Sequence, residues 1–142
     1  MKVVILAGGY GSRLEEETKY KPKPLVEICG APILYHIMQI YIKYGFNDFI
    51  ICCGYKGHLI KNYFQKLIKK KKYNKFIIKK NFFEIFVKNK KLFSVTLVNT
   101  GKNTMTGGRI KRIKEFIKDD NFFLTYGDGL ANINLKKLLK FH

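Results

Sequence analysis

Hydrophobic residues fall into short runs separated by polar, glycine-bearing loops. The run Val3-Val4-Ile5-Leu6-Ala7 is apolar at every position and opens on β-branched residues, the pattern of a strand covered on both faces of a sheet. Pro24 to Ile28 reads as a short strand and Cys29-Gly30-Ala31 as a turn. Pro32 is placed as the first residue of a helix. Ile33, Leu34, Ile37, Met38, Ile40, Tyr41 and Tyr44 then recur at helical spacing, and Gly45 supplies the stop. Asp48 to Cys53 repeats the buried-strand pattern and closes in Gly54-Tyr55-Lys56-Gly57. An amphipathic helix from His58 to Lys69 follows and frays into Lys69-Lys70-Lys71-Lys72. This βαβα order predicts a parallel sheet with helices packed on its faces.

The middle of the chain changes period. Phe76 to Lys79, Phe82 to Val87 and Ser94 to Val98 read as strands joined by Asn/Lys turns with no helix between them. Phe82, Glu84 and Phe86 share one face, and Phe83 and Ile85 the other. This predicts an antiparallel excursion from the parallel sheet. Helical spacing returns at Ile110, Ile113, Phe116 and Ile117, which places Gly107-Gly108-Arg109 at a helix N-terminus. Asn121 to Tyr126 reads as another buried strand, and Asn134 to His142 as the start of a new helix.

Composition narrows the class. With 142 residues, 46% hydrophobic and 15% aromatic, the chain has the size and content of one globular domain spanning residues 1–142. No apolar run reaches the ~20 residues of a membrane span. Met1 leads directly into the first strand, which leaves no room for a signal peptide. Cys29, Cys52 and Cys53 are odd in number and lack metal-type spacing. Adjacent Cys52 and Cys53 should face opposite sides of a strand as small core residues, which fits a reducing cytoplasm. The net charge of +18 raises the question of a nucleic-acid or anionic-membrane partner. The lysines are spread along the chain without a nucleic-acid motif, so they are read as solvated faces and neither partner is assigned.

Three loops carry candidate chemistry. Gly8-Gly9-Tyr10-Gly11-Ser12-Arg13-Leu14 follows the first strand. Glycines let the backbone approach a ligand closely, so N–H groups can point at phosphate oxygens, and Arg13 adds a fork that matches a phosphate. GxGxxG is incomplete because Leu14 replaces the third glycine, although Glu27 lies near the spacing of a ribose contact. The GxxxxGK[ST] pattern is missing, which excludes a P-loop. Prolines 22 and 24 bracket Lys23 and should hold it and Lys21 extended, aiming an ammonium at a phosphate. An ordinary glycine turn and a proline-broken connector remain the alternatives at these two places. Asn99 to Arg109 is a second glycine-bearing loop before a helix. Gly127-Asp128-Gly129 ends the strand at 121–126, where open α/β sheets place their ligands. A turn-forming role is the alternative for Asp128, which is otherwise the best Mg²⁺ ligand candidate. His36 has no second ligand at metal spacing and reads as structural.

Leu6-Ala7-Gly8-Gly9-Tyr10-Gly11-Ser12-Arg13-Leu14, Lys21-Pro22-Lys23-Pro24-Leu25-Val26-Glu27-Ile28, Thr104-Met105-Thr106-Gly107-Gly108-Arg109 and Leu124-Thr125-Tyr126-Gly127-Asp128-Gly129 resemble, in order, the nucleotidyltransferases that activate sugar 1-phosphates. The Thr104 to Arg109 stretch is similar to their cytidylyl branch. The resemblance implies a Rossmann-like three-layer α/β fold with a predominantly parallel sheet. It also implies joining of CTP and α-D-glucose 1-phosphate to give CDP-glucose and pyrophosphate, with Mg²⁺ as cofactor. By the same resemblance, Leu6, Ala7, Gly8, Gly9, Gly11, Ser12, Arg13, Lys23, Thr104, Arg109, Gly127 and Asp128 would bind nucleotide. Arg13 and Lys23 would offset charge as pyrophosphate leaves, and Asp128 would hold the metal. Family members are longer, and their second metal-binding aspartate and most of their sugar pocket lie beyond His142, so the domain reads as truncated at its C-terminus. The alternatives are a nucleotide-binding fragment without catalysis and a dTTP- or UTP-using relative. Homo-oligomerisation is left open.

Overall fold

The computed structural model describes residues 1–11, 20–69, 75–79, 81–87, 90–118 and 121–142. Its central sheet has six strands: β1 (Lys2–Ala7), β4 (Asp48–Cys53), β5 (Lys75–Lys79), β6 (Phe82–Val87), β7 (Lys90–Asn99) and β8 (Phe122–Tyr126). They lie in the order β5-β6-β7-β4-β1-β8. The β7–β4, β4–β1 and β1–β8 pairings are parallel, and the β5–β6 and β6–β7 pairings are antiparallel. The expected mixture of a parallel centre and an antiparallel excursion is therefore present. A two-stranded hairpin, β2 (Glu27–Ile28) with β3 (Ala31–Pro32), stands apart.

The all-apolar strands are explained by helices on both faces. Val3, Ile5 and Ala7 of β1, with Phe49, Ile51 and Cys53 of β4, face the larger core. That core is closed by α1 (Ile33–Lys43), α2 (Gly57–Ile68) and α5 (Leu135–Phe141). Leu34, Ile37, Met38 and Tyr41 form the buried stripe of α1, while Ile60, Phe64, Leu67 and Ile68 form that of α2. Val4, Leu6, Ile50 and Cys52 point to the other face and meet Ile113 at the junction of α3 (Thr106–Arg112) and α4 (Lys114–Ile117). Cys52 and Cys53 thus lie on opposite faces, as strand alternation requires.

Four expectations are corrected. Lys23 opens a 3-10 turn, Lys23–Leu25, rather than an extended segment. Hydrogen bonds from Leu25 N–H to Pro22 O (2.8 Å) and Val26 N–H to Lys23 O (2.9 Å) override the steric bias before Pro24. The strand expected from Pro24 is reduced to Glu27–Ile28 because the 3-10 turn takes its first half. The 110–117 stripe breaks at Ile113, whose φ of −105° departs from the helix. β8 is an edge strand and only partly buried: Phe123 is covered, whereas Leu124 and Tyr126 are 45% and 59% exposed. The acidic helical turn expected at 15–17 lies outside the described residues.

Candidate functional site

Parallel strands deliver their C-terminal ends to one edge of the sheet, so the loops after β1, β7 and β8 converge. Together with the turn at Lys23 they enclose a cavity of about 280 Å³. Leu6, Ala7, Gly8, Gly9 and Gly11 form one wall, Lys23 and Pro24 a second, and Thr104, Met105, Thr106 and Arg109 a third. Tyr126 and Asp128 complete it. Of the residues singled out in the sequence, Gly127 sits behind the wall, its N–H donating to Leu6 O at 2.9 Å. Ser12 and Arg13 lie outside the described residues.

Arg109 organises the floor. It is 5% exposed although formally charged. Burial lowers its pKa from the usual guanidinium value, and Cys52 opposes that shift. Nη1 donates to Thr100 Oγ1 at 2.7 Å and Gly101 O at 2.8 Å, and Nη2 to Gly8 O at 2.8 Å. Longer bonds reach Cys53 O and Lys102 O, both at 3.4 Å. One side chain therefore joins the ends of β1, β4 and β7, its planar fork satisfying several carbonyls at once. Close approach explains two glycines. A Cβ on Gly8 would lie 2.1 Å from Arg109 Nη1, and one on Gly54 would lie 2.5 Å from Gly8 O.

This bracket also orients the phosphate-loop candidate. Gly8 O accepts from Arg109 and, at 3.2 Å, from Tyr55 N–H. No peptide bond is cis, so the N–H of Gly9 points opposite to that carbonyl, away from the guanidinium and on the exposed side of the loop. Thr104 Oγ1 accepts from Arg112 Nη1 at 2.6 Å, and the same nitrogen donates to Thr100 O at 2.6 Å.

Lys23 and Asp128 face each other across the mouth, Nζ to Oδ2 at 3.6 Å. Both are partly exposed, so their pairing leaves the carboxylate accessible. Among the described residues no three His, Cys, Asp or Glu side chains gather into a metal-ligand cluster. Asp128 alone supplies an acidic oxygen to the cavity, a donor suited to Mg²⁺ that keeps waters and substrate phosphates as its other ligands. His36 Nε2 contacts Ile28 O at 2.8 Å and ties the hairpin to α1.

Sequence reasoning missed the aromatic rim. The Tyr10 and Tyr55 rings lie 5.2 Å apart, and Lys102 Nζ stands 5.5 and 5.9 Å from their centroids. The Tyr10 hydroxyl donates to Asn103 Oδ1. It missed Thr100 and Arg112 as well. The three-residue spacing of Arg109 and Arg112 was the available signal, since it puts both guanidiniums on one helix side.

The nucleotidyl transferase family model matches residues 2–142. Glucose-1-phosphate cytidylyltransferase of Salmonella typhimurium is 53% identical over the whole chain, which spans 56% of that protein. Mannose-1-phosphate guanyltransferase 2 of Candida glabrata is 31% identical, again over the whole chain and 34% of the relative. Among solved structures, HddC from Yersinia pseudotuberculosis complexed with GMP-PN superposes with a TM-score of 0.71 at 28% identity. That match covers 98% of this chain and 52% of HddC. UDP-glucose pyrophosphorylase complexed with UDP-glucose shares the fold, with a TM-score of 0.69 at 17% identity over 99% of this chain and 52% of the other. The chain thus spans about half the length of its cytidylyltransferase relative.

Proposed function

The chain belongs to the nucleotidyl transferase family, and from that premise we propose that it is the nucleotide-binding part of a glucose-1-phosphate cytidylyltransferase. The reaction would join CTP and glucose 1-phosphate into CDP-glucose. A phosphate oxygen of the sugar attacks the α-phosphorus of CTP in line, the α–β bridging bond breaks, and pyrophosphate leaves with its electron pair. No protein nucleophile is needed, so positioning and charge neutralisation supply the catalysis.

The carrying observation is the single cavity that gathers the glycine loop, Lys23, Thr104 and Asp128 at the strand ends. The Gly9 N–H and its neighbours would take phosphate oxygens, with Lys23 countering the negative charge. Arg13 is proposed for the same task on the resemblance alone. Arg109, its donors directed at main-chain carbonyls, would shape the loop, and Thr104 would meet the nucleotide. Asp128 would hold Mg²⁺, which when bound supplies charge neutralisation at the phosphates. A cytoplasmic setting is part of the proposal, and no described helix is long and apolar enough to cross a membrane.

A thermal-shift panel of CTP, dTTP, UTP and ATP with Mg²⁺ tests this reading, because selective binding stabilises the fold by mass action. CTP should give the largest shift. A larger shift with ATP or dTTP at matched concentration would overturn the cytidylyl assignment.

A further inference from the structure

We propose that the open edge of β8 is a docking surface for a polypeptide equivalent to the part of its relatives that this chain does not match. The polypeptide would add a strand beside Phe122–Tyr126 and cover the apolar surface around it. It may be joined to His142 or supplied as a separate chain. The inference uses the family membership and the extent of the match, not the choice of nucleotide.

The backbone supplies the first argument. Among the described residues β8 pairs only with β1. Gly127 N–H donates to Leu6 O, and N–H directions alternate along a strand. Thr125 and Phe123 therefore turn their N–H groups toward β1, whereas Phe122, Leu124 and Tyr126 turn theirs outward. Those outward donors and their carbonyls form a template for strand addition.

The side chains supply the second. An edge that remains in water is normally blunted by charge, proline or a bulge. Phe122-Phe123-Leu124-Thr125-Tyr126 has no charge and no proline, and its register with β1 is continuous. The opposite edge strand, β5, begins and ends on lysine. Leu124 and Tyr126 stand exposed on one face of β8. On the other face, an apolar cleft of about 290 Å³ runs between β8 and α5, with Ile133, Leu138 and Leu139 on its rim. Scattered exposed leucines need no explanation, but a contiguous apolar surface flanking an open strand edge marks an interface.

The extent of the match identifies the occupant. The Salmonella typhimurium relative aligns over all of this chain, yet the chain accounts for 56% of it. The remaining polypeptide in that relative has to pack somewhere. β8 is the surface that offers it both backbone pairing and apolar cover. The edge also leads directly into Gly127 and Asp128, so whatever pairs there closes the open side of the candidate site.

Hydrogen exchange read at single amides tests the proposal. The chain is compared alone and fused at His142 to the segment of the Salmonella relative that follows the matched stretch. Phe122, Leu124 and Tyr126 amides should exchange quickly in the chain alone and slow by about tenfold or more in the fusion. Phe123 and Thr125 should be protected in both, which reports that the sheet has formed. Leu124→Pro removes one outward donor and leaves the β1 ladder intact, a change edge strands tolerate. In the fusion it should return Phe122 and Tyr126 to fast exchange. Outward amides that stay fast in the fusion while Phe123 and Thr125 remain protected would overturn the proposal. So would outward amides whose protection in the chain alone rises with its concentration, since a second copy would then occupy the edge. Failure of CTP to stabilise the protein would bear on the nucleotide assignment and leave this result untouched.

Discussion

The residue that most changes the picture of the site is Arg109. Its type and place beside two glycines mark it for an anion, yet its donors are directed at Gly8 O, Gly101 O and Thr100 Oγ1. The acceptors are main-chain groups and a hydroxyl from distant segments, so nothing in the local sequence announces them. Arg109→Lys keeps the charge but replaces a planar fork with a point donor. Carbonyls left unsatisfied in the interior should lower unfolding stability by on the order of 3 kcal/mol, read as a shifted denaturant midpoint at unchanged slope. An unchanged midpoint would mean the bracket is not structural. Lys23 is the contrasting case, legible as a cation aimed at the site and found there opposite Asp128. That pair is partly exposed and contributes little to folding. Lys23→Ala should therefore leave the midpoint unchanged while weakening triphosphate binding by about 1.5–3 kcal/mol if the ammonium meets a phosphate. Calorimetric titration with CTP–Mg²⁺ checks it, and wild-type affinity would return Lys23 to a solvated role.

At the scale of elements, legibility followed burial. β4 and β6 occupy the expected residues, and α1 and α2 begin and end within one residue of the expected positions. These segments owe their period to packing, and packing is what periodicity reports. β8 was misjudged because an apolar run records composition, not whether a neighbouring strand or helix is present to cover it. β7 runs from Lys90, four residues earlier than expected, because its antiparallel pairing with β6 extends the ladder through polar Lys90 and Lys91. In β4 the two thiols give an element-scale test. Burial raises the pKa of Cys52 to about 11 and that of Cys53 to about 12, Cys52 adding to the latter and Arg109 opposing both. Unfolded thiols release their protons near pH 9. Above that pH the native state holds more protons than the unfolded state, so stability falls as pH rises. The loss should approach about 1.4 kcal/mol per pH unit for each thiol between pH 9 and 11. Cys52→Ala should flatten the decline. At neutral pH a thiol reagent should label exposed Cys29 quickly and the two β4 thiols only on unfolding.

At the scale of the whole molecule, the geometry separates binding from turnover. The cavity of about 280 Å³ sits at the lower limit of ligand pockets, which run from roughly 300 to 1,000 Å³. It has room for part of a nucleotide, not for CTP and a sugar phosphate held in line. Asp128 is the one carboxylate lining it, and Mg²⁺ can be held by one carboxylate, waters and substrate phosphates. Transfer demands more, because charge developing between attacking and leaving oxygens must be met at fixed geometry. A sugar phosphate that is bound loosely also loses the positioning that makes the attack effectively unimolecular. The 142-residue chain should therefore bind CTP–Mg²⁺ weakly and form little CDP-glucose. Supplying the remaining part of a relative should restore turnover, and Asp128→Asn should abolish that rescue while leaving the sheet folded. A coupled pyrophosphate assay with CTP and glucose 1-phosphate decides the matter. Strong release from the chain alone would show that the cavity and a single carboxylate suffice, and would sink the separation argued here.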